Sequence, residues 1–443
     1  MSTLPELLSS SGPRLAFKAF VIGFLMLLLL IPLALIHGTI GERQAYRAQA
    51  VASVAGSFAG PQTLSGPVLV LPYVDEVQVE EKDAQGRPIL RTERQWRHLL
   101  EFPDTLSIDG KLVPAVRKRG LHEVRVYELQ SQLQARFELR VPPAPAKGTR
   151  HYGQPYLSFA IDDVRGLVGD PVLTVAGRRQ ALAQGNGGHR KGGGLHAVLA
   201  RVDHGQALAF DLQLRSVLGG TESLAIAPVG DSNEIRLASA WPHPQFAGRF
   251  LPRSRRIDAN GFQARWDLSA LAAGTQEQIR QGSDAVDALS VSLVDPVNVY
   301  SQADRASKYG LLFVLLTFVG FFMFELVKGL RIHPLQYALV GLALAIFFLL
   351  LLGLSEHLAF GLAYLLASVA CIGLLGAYVS AVLRSPRRGL AFAGALGLLY
   401  AALYGLLVSE DNALLLGALM LFAILAALML STRHVDWYRA GSP

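Results

Sequence analysis

Hydrophobic positions in this chain gather into six long runs, one near the start and five crowded into the last third. The first is Ala19–Ile36. The others are Gly310–Val327, Leu335–Leu354, Leu358–Leu383, Gly389–Val408 and Ala413–Leu430. Each is close to the ~20 apolar residues that carry a helix across a bilayer core. Residues 37–309 between the first two runs are polar and punctuated by Gly and Pro. The Ala-rich, Pro-free stretch Gly41–Ala59 predicts a helix continuing the first run, ended by Gly60-Pro61. From there the period changes to two. Apolar and polar residues alternate through Val124-Arg125-Val126-Tyr127-Glu128-Leu129, as a half-buried strand requires. Strands are predicted at Val68–Leu71 (ending at Pro72), Gln95–Phe102, Val124–Val141, Tyr156–Ile161, Val172–Val175 and Ala207–Arg215. Further ones are predicted at Leu224–Val229, Ile235–Ser239, Phe262–Leu268 and Ala288–Leu293.

The pattern predicts an α+β membrane protein with six transmembrane helices. An N-terminal anchor (19–36) and a C-terminal five-helix bundle (310–431) flank a large β-rich, sandwich-like domain (37–309) that opens with helix 41–59. Short tails, 1–18 and 432–443, complete the chain. Flanking charge sets the expected orientation. With the N-terminus inside, the inner flanks hold Arg14, Lys18, Lys328, Arg331, Arg384, Arg387, Arg388, Arg433 and Arg439. The outer loops Ser355-Glu356-His357 and Ser409-Glu410-Asp411-Asn412 hold no Lys or Arg. Basic residues are retained on the cytoplasmic side. Both termini are therefore expected in the cytoplasm and the β-rich domain outside it, which in a bacterium with two membranes means an inner-membrane protein with a periplasmic domain. Ala48-Gln49-Ala50 has the form of a signal-peptide cleavage site, but it lies well beyond the apolar run, so an uncleaved anchor is expected.

The net charge of +7 does not point to nucleic acid, because nine of the basic residues are the flanks just named. Residues 38–308 hold 32 Lys+Arg against 28 Asp+Glu, a near balance without a basic, aromatic-interleaved surface. Arg117-Lys118-Arg119 and the triplet Arg253, Arg255, Arg256 read as solvated loops. The single cysteine, Cys371, lies in the fourth run, so the exported domain is expected to stand without a disulfide. Gly185–Gly194 reads as a flexible, exposed loop. It lacks the Gly-Lys-Ser/Thr ending of a phosphate loop.

Candidate chemistry is sparse. His151, His189, His196, His204 and His243 are scattered without metal-ligand spacing, so no metal, cofactor or catalytic set is expected. The densest constellation is Trp241, Pro242, His243, Pro244 and Phe246, where two prolines fix the backbone about a histidine. It is either a recognition corner or, preferably, a structural corner whose aromatics fill the core. In the helices, Glu325 stands near the inner end of the second run and Glu356-His357 at the outer mouth. Ionisable groups there are costly unless they snorkel to water, which both positions permit. Small residues, Gly394, Gly397, Ala401 and Gly405 in the fifth run and Gly361, Ala367, Gly373 and Gly376 in the fourth, suggest close helix packing within the bundle or against a partner helix.

These residues carry a resemblance. Ile31-Pro32, Gly60-Pro61-Gln62-Thr63-Leu64-Ser65-Gly66-Pro67, Asp163-Val164-Arg165-Gly166, Trp241-Pro242-His243-Pro244 and Gly261-Phe262-Gln263-Ala264 occur in order. Asp304-Arg305-Ala306-Ser307-Lys308-Tyr309, His333-Pro334-Leu335-Gln336-Tyr337, Leu354-Ser355-Glu356-His357, Asp411–Gly417 and Asp436-Trp437-Tyr438 follow. In this series the chain resembles the CreD family, inner-membrane proteins described as envelope-integrity or colicin-tolerance proteins. The resemblance implies a link to envelope stress and to a two-component system of matching name. It implies no reaction. The expectation is a non-enzymatic membrane protein acting through a periplasmic domain coupled to its bundle. Its partners would be membrane lipids and an unidentified envelope component, not nucleic acid. A transporter or lipid-handling protein, and a periplasmic hydrolase, are the alternatives.

Overall fold

The computed structural model describes residues 11–82, 88–143, 149–189, 192–283, 285–293, 299–328, 332–409 and 413–432. Outside them lie Arg331, Glu410, Asp411, Asn412, Arg433, Arg439, Asp436-Trp437-Tyr438 and two residues of the glycine-rich segment, Arg190 and Lys191.

The chain opens with helix α1 (Ser11–Ser57). Strands β1 (Gln62–Lys82), β2 (Pro88–Glu101), β3 (Thr105–Arg119), β4 (His122–Arg140), β5 (Thr149–Tyr152) and β6 (Tyr156–Ile161) follow. Next come β7 (Val172–Val175), β8 (Arg178–Gln180), β9 (Ala183–Gln184), β10 (Gly194–Val198), β11 (Ala207–Thr221) and β12 (Ser223–Ala227). Then β13 (Ser232–Ser239), β14 (Gln245–Gly248), β15 (Ser254–Asp258) and β16 (Gly261–Ser269) lead to short helices α2 (Ala270–Ala273) and α3 (Thr275–Arg280), and to β17 (Leu289–Ser292). Helices α4 (Val299–Lys308), α5 (Gly310–Lys328), α6 (Pro334–Ser355), α7 (Phe360–Val382), α8 (Pro386–Val408) and α9 (Ala413–Thr432) complete it. Two compact units result, Arg47–Pro296 and the pair Met1–Tyr46 with Val297–Pro443.

The first unit is β-rich. One sheet runs β14-β17-β12-β1-β6-β10-β9, with β2 and β5 also paired to β1. The other runs β15-β16-β13-β3-β4-β11-β7-β8. Strand alternation turns one face of each inward. Along β13, Asn233, Ile235, Leu237 and Ser239 are buried while Ser232, Glu234, Arg236 and Ala238 turn outward. The inner faces share one core, to which Leu69, Leu157 and Val291 come from one sheet and Leu129, Phe137 and Trp266 from the other.

Three differences from the sequence pattern have clear causes. β1 does not end at Pro72 but runs on to Lys82. Pro72 falls in the break between two partners, β6 ending at Val70 and β5 starting at Tyr73, which is a position that tolerates proline in a strand. β3 is absent from the expected strands because Gly110 and Pro114 interrupt its pattern. Gly110 is nevertheless needed, since a Cβ there would come within 2.8 Å of Leu237 Cδ2. The glycine-rich segment is not simply an exposed loop. Asn186 is buried at 5% exposure, accepts from Gly188 N–H and donates to Gly192 O, and Ser158 Oγ donates to its carbonyl. Gly187 lies so close to the Tyr156 ring, at φ +77°, that only glycine fits. Of the basic clusters, Arg255 and Arg256 lie on edge strand β15, and Arg117, Lys118 and Arg119 close the end of β3.

The second unit is helical. Helices α1, α6, α7 and α8 are long and apolar enough to cross a membrane, and α4 with α5 makes a fifth if that pair, bent by 44°, counts as one span. The bend falls at Tyr309, between the two helices. The polar, amphipathic α4 turns Tyr300, Ala303 and Ala306 inward, and the apolar α5 starts a new direction. α9 is apolar over Leu415–Ala426. Ile22, Leu29, Leu33, Ile36 and Ile40 fall on one face of α1 and pack into a core with Phe313, Phe318, Leu344 and Phe348. Phe20, Phe24, Leu27, Ile31 and Leu35 on its other face stay exposed, as lipid contact requires. Helices α7 and α8 meet at Gly376 against Ala393 and at Gly389 against Ser380. Ala401 and Gly405 instead face outward, with nothing near Gly394 or Gly405, so that small-residue stripe is not the packed face.

Candidate functional site

Within the helical unit, the ionisable residues converge into two charged bands. Glu325 sits at 7% exposure on α5. Lys18, counted from sequence only as a flanking charge, pairs with its Oε1 and donates to Ile332 O at 2.7 Å. Ile332 N–H donates to the same carboxylate at 3.2 Å, and the Tyr337 hydroxyl donates to Oε2 at 2.7 Å. The Tyr337 ring is wedged edge-on between Phe318 and Phe321. The His333-Pro334-Leu335-Gln336-Tyr337 segment explains how it gets there. His333 and Gln336 form a capping box that starts α6, and Tyr337 then falls on the turn facing Glu325. Glu325 therefore meets its counter-charge inside the unit instead of snorkelling to water.

The second band joins α1, α4 and the end of α6. Arg43 Nε lies 3.4 Å from Glu356 Oε1, whose side chain is 9% exposed. His37 Nδ1 lies 3.2 Å from Asp304 Oδ1, and Lys308 Nζ 2.7 Å from Asp304 Oδ2. His357 is exposed and contributes only its backbone, donating to Leu354 O. Lys18 and His37 are separated on α1 by about 28 Å at 1.5 Å per residue. That matches the ~30 Å hydrocarbon core of a bilayer.

In the β-rich unit, two resemblance motifs a hundred positions apart form one corner. Gln62, 1% exposed, donates to Asp163 O (2.8 Å) and Gly219 O (3.0 Å) and accepts from Asp163 N–H (3.1 Å). Asp163 caps the turn Val164–Gly166 and accepts from Gly60 N–H. The Arg165 guanidinium reaches both Asp163 oxygens and also donates to Gly56 O near the end of α1. Its hydrogen bonds hold the Asp163 carboxyl down at about 2, with partial burial opposing and the Gly60 and Arg165 N–H groups helping. A folded-state pKa below the ordinary value contributes stability above pH ~4 that is lost as pH falls from ~4 towards ~2. Asp163→Asn is expected to remove that part of the acid dependence, read as a flatter thermal midpoint against pH over this window.

The Trp241–Phe246 segment is built on its aromatics. Trp241 is 9% exposed, its Nε1–H donates to His243 O at 2.8 Å, and the Arg125 guanidinium lies 4.3 Å over its ring. Pro242 and Pro244 flank that carbonyl. Phe246, on β14, packs edge-on against Phe262 and Trp266. The His243 ring is exposed and stands perpendicular to the Trp241 ring.

A feature invisible to motif reading is the outer face of the eight-stranded sheet. Register places Arg265, Arg236, Asp109, Gln132 and Arg215 side by side across five strands. The neighbouring row holds Arg256, Gln263, Ala238, Lys111 and Gln130. A hollow of about 740 Å³ opens over the middle of these rows, with smaller ones of about 410 and 300 Å³ beside it. Glu234 and Asp267 pair with Arg265, and Glu234 also pairs with Arg236. Among the described residues, Lys111, Arg215 and Asp109 make no ion pair. Among them, too, no cluster of His, Cys, Asp and Glu has the makings of a metal site.

Apolar helices tied by charge pairs at both ends of an apolar band, together with a large two-sheet unit, define a multi-pass membrane protein. The chain belongs to the family described as Inner membrane protein CreD, whose profile matches residues 14–438. The Inner membrane protein CreD of Escherichia coli (strain K12) is 37% identical over 426 residues, 94% of this chain and 92% of that protein. Among solved structures, an M1 zinc metallopeptidase from Deinococcus radiodurans aligns at 8% identity and TM-score 0.20, over 43% of this chain and 42% of that one. Yeast LTA4 hydrolase in complex with Bestatin aligns at 7% and 0.17, over 49% and 34%. The chain spans less than half of these structures, and at such scores the likeness carries no argument.

Proposed function

We propose that this protein supports envelope integrity without catalysing a reaction, by holding a binding domain in the periplasm on a six-helix membrane base. The observation that supports this most is the pair of charged bands on α1. They bracket an apolar stretch of bilayer thickness and tie the first helix to the bundle, as a retained anchor requires. The side bearing Lys18, Arg384, Arg387 and Arg388 is then cytoplasmic, by the retention of basic flanks, and both termini lie there. Residues 37–309 lie on the opposite side. A transport role is less favoured, since the buried carboxylate Glu325 is already saturated by Lys18, Ile332 N–H and Tyr337.

Single cysteines introduced in a Cys371→Ala background test the arrangement. In cells with a permeabilised outer membrane, a membrane-impermeant maleimide is expected to label Leu271→Cys and Leu121→Cys. Arg387→Cys is expected to react only after lysis. The reverse pattern would sink the orientation. For the role itself, photocrosslinking probes across the β-rich unit are expected to capture an envelope component, and deletion of the gene to raise detergent sensitivity. No capture together with normal sensitivity would end this reading.

A further inference from the structure

We infer that the free edge of β2 pairs with β2 of a second copy of this chain, antiparallel and with Gln95 on the two-fold axis, so that the nine-stranded sheets of two molecules join into one. β2 is an open edge. Its 14 residues pair in unbroken register with β1 and with no other described strand. In an antiparallel ladder alternate residues turn N–H and C=O away from the partner, so one side of β2 presents a row of unused backbone groups. The other outer strands, β5, β8, β9, β14 and β15, have 5 residues or fewer. Shortness, proline and bulges are the usual guards against pairing with another chain. β2 is long, has its one proline at its first position and shows no register shift against β1. Charge is the guard that remains, and the order of the charges selects the partner.

Antiparallel pairing about Gln95 sets Glu93 opposite Arg97 and Arg94 opposite Trp96, each twice by symmetry. Such opposite residues share a face, with Cβ atoms about 5 Å apart, and opposite charges or a cation and a ring attract there. Among the described residues Glu93 makes no ion pair, and Arg97 of the second copy supplies one. Trp96 is 79% exposed, whereas Trp241 and Trp266 are buried. The guanidinium that meets its ring is already steadied, since Arg94 Nε lies 2.8 Å from Glu76 Oε1 on β1. The neighbouring registers lose both matches. With the axis at Arg94, Trp96 faces Thr92, and with the axis at Trp96, Glu93 faces Leu99. An unrelated extended peptide meets the same backbone groups but carries no such fit, which favours a second copy.

The full-length chain with Cys371→Ala, kept in its membrane, supplies the test. Adding Gln95→Cys is expected to give covalent dimers with a short bismaleimide. Glu93→Cys and Arg97→Cys are each expected to give none alone, because like positions then lie four residues out of register, about 14 Å apart. Differently tagged chains carrying one or the other are expected to join when they share a membrane. These three positions are exposed or half-buried, so the substitutions leave the core untouched. Glu93→Arg or Arg97→Glu is expected to lower the dimer yield from Gln95→Cys roughly fivefold or more, since like charges then face each other twice. Both reversals in one chain are expected to restore it. No dimer from Gln95→Cys, equal yields from all three single positions, adducts to a protein of another mass in place of the dimer, or failure of the double reversal to restore the yield would each overturn the proposal.

Discussion

Replacing Lys18 with Met is expected to destabilise the helical unit by about 2–4 kcal/mol, somewhat below the usual loss for one partner of a fully buried pair. The reduction reflects the 22% exposure of the Lys18 side chain. The mutation leaves the Glu325 carboxylate at 9% side-chain exposure with only Tyr337 and Ile332 N–H to satisfy it. The damage is thus an orphaned charge more than a lost attraction. This distinction is measurable. Lys18→Met/Glu325→Leu removes both charges and is expected to recover much of the loss, because a buried pair exchanged for apolar side chains of similar volume is often near neutral. Thermal unfolding of the purified protein in detergent reads both. If Lys18→Met alone unfolded like the parent, the pair would have no structural weight. If the double variant were as unstable as the single, the cost would lie in packing around Lys18 and not in the unpaired carboxylate.

Gly166→Ala is expected to cost about 3 kcal/mol or more, through overpacking and the loss of buried hydrogen bonds. A Cβ at Gly166 would overlap the Gly219 carbonyl and come within 2.8 Å of Gln62 Nε2 and 3.1 Å of Ala59 Cβ. Gly219 lies in the long pairing of β11 with β4, so its backbone has nowhere to move. Gln62 would have to give way, leaving Asp163 and Gly219 backbone groups without their partner. Gly56→Ala is the matched control. Nothing lies within 4 Å of a Cβ there, and the residue is helical and exposed, so the change should be neutral or stabilising by up to about 1 kcal/mol. Thermal or urea unfolding followed by the near-ultraviolet signal of the buried Trp266 would separate the two. Equal stability of both variants would refute the account of this corner.

The same corner shows where sequence reading stops. Gly60–Pro67 and Asp163–Gly166 are recognisable as separate motifs, but nothing in either says that they meet. Their contact is made by one glutamine amide bonding to backbone groups of two distant segments, and backbone groups are the same at every position. Glu325 is a milder case. An acid in an apolar run signals a need for a partner, yet Lys18, Arg14 and Lys328 were equivalent flanking charges until packing chose among them. The outer-face rows are the extreme case. Arg215, Gln132, Asp109, Arg236 and Arg265 come from five strands spread over much of the β-rich unit, and only register brings them into line.

The sequence by itself determined that several long apolar helices accompany a large β-rich region, where many of the strands lie and to which family the chain belongs. These follow from period, run length and local motif, all carried by residues close together in the chain. The tertiary structure alone decided that β3 is a central strand despite Gly110 and Pro114, that Lys18 closes on Glu325 and Tyr337, and that Gln62 joins Asp163 to Gly219. It also decided which cations share a face with which amides. Periodicity reports the face an element turns inward. The partner it meets there is set by side-chain volume, strand register and the pairing of buried polar groups across long separations, and these exist only once the chain has folded.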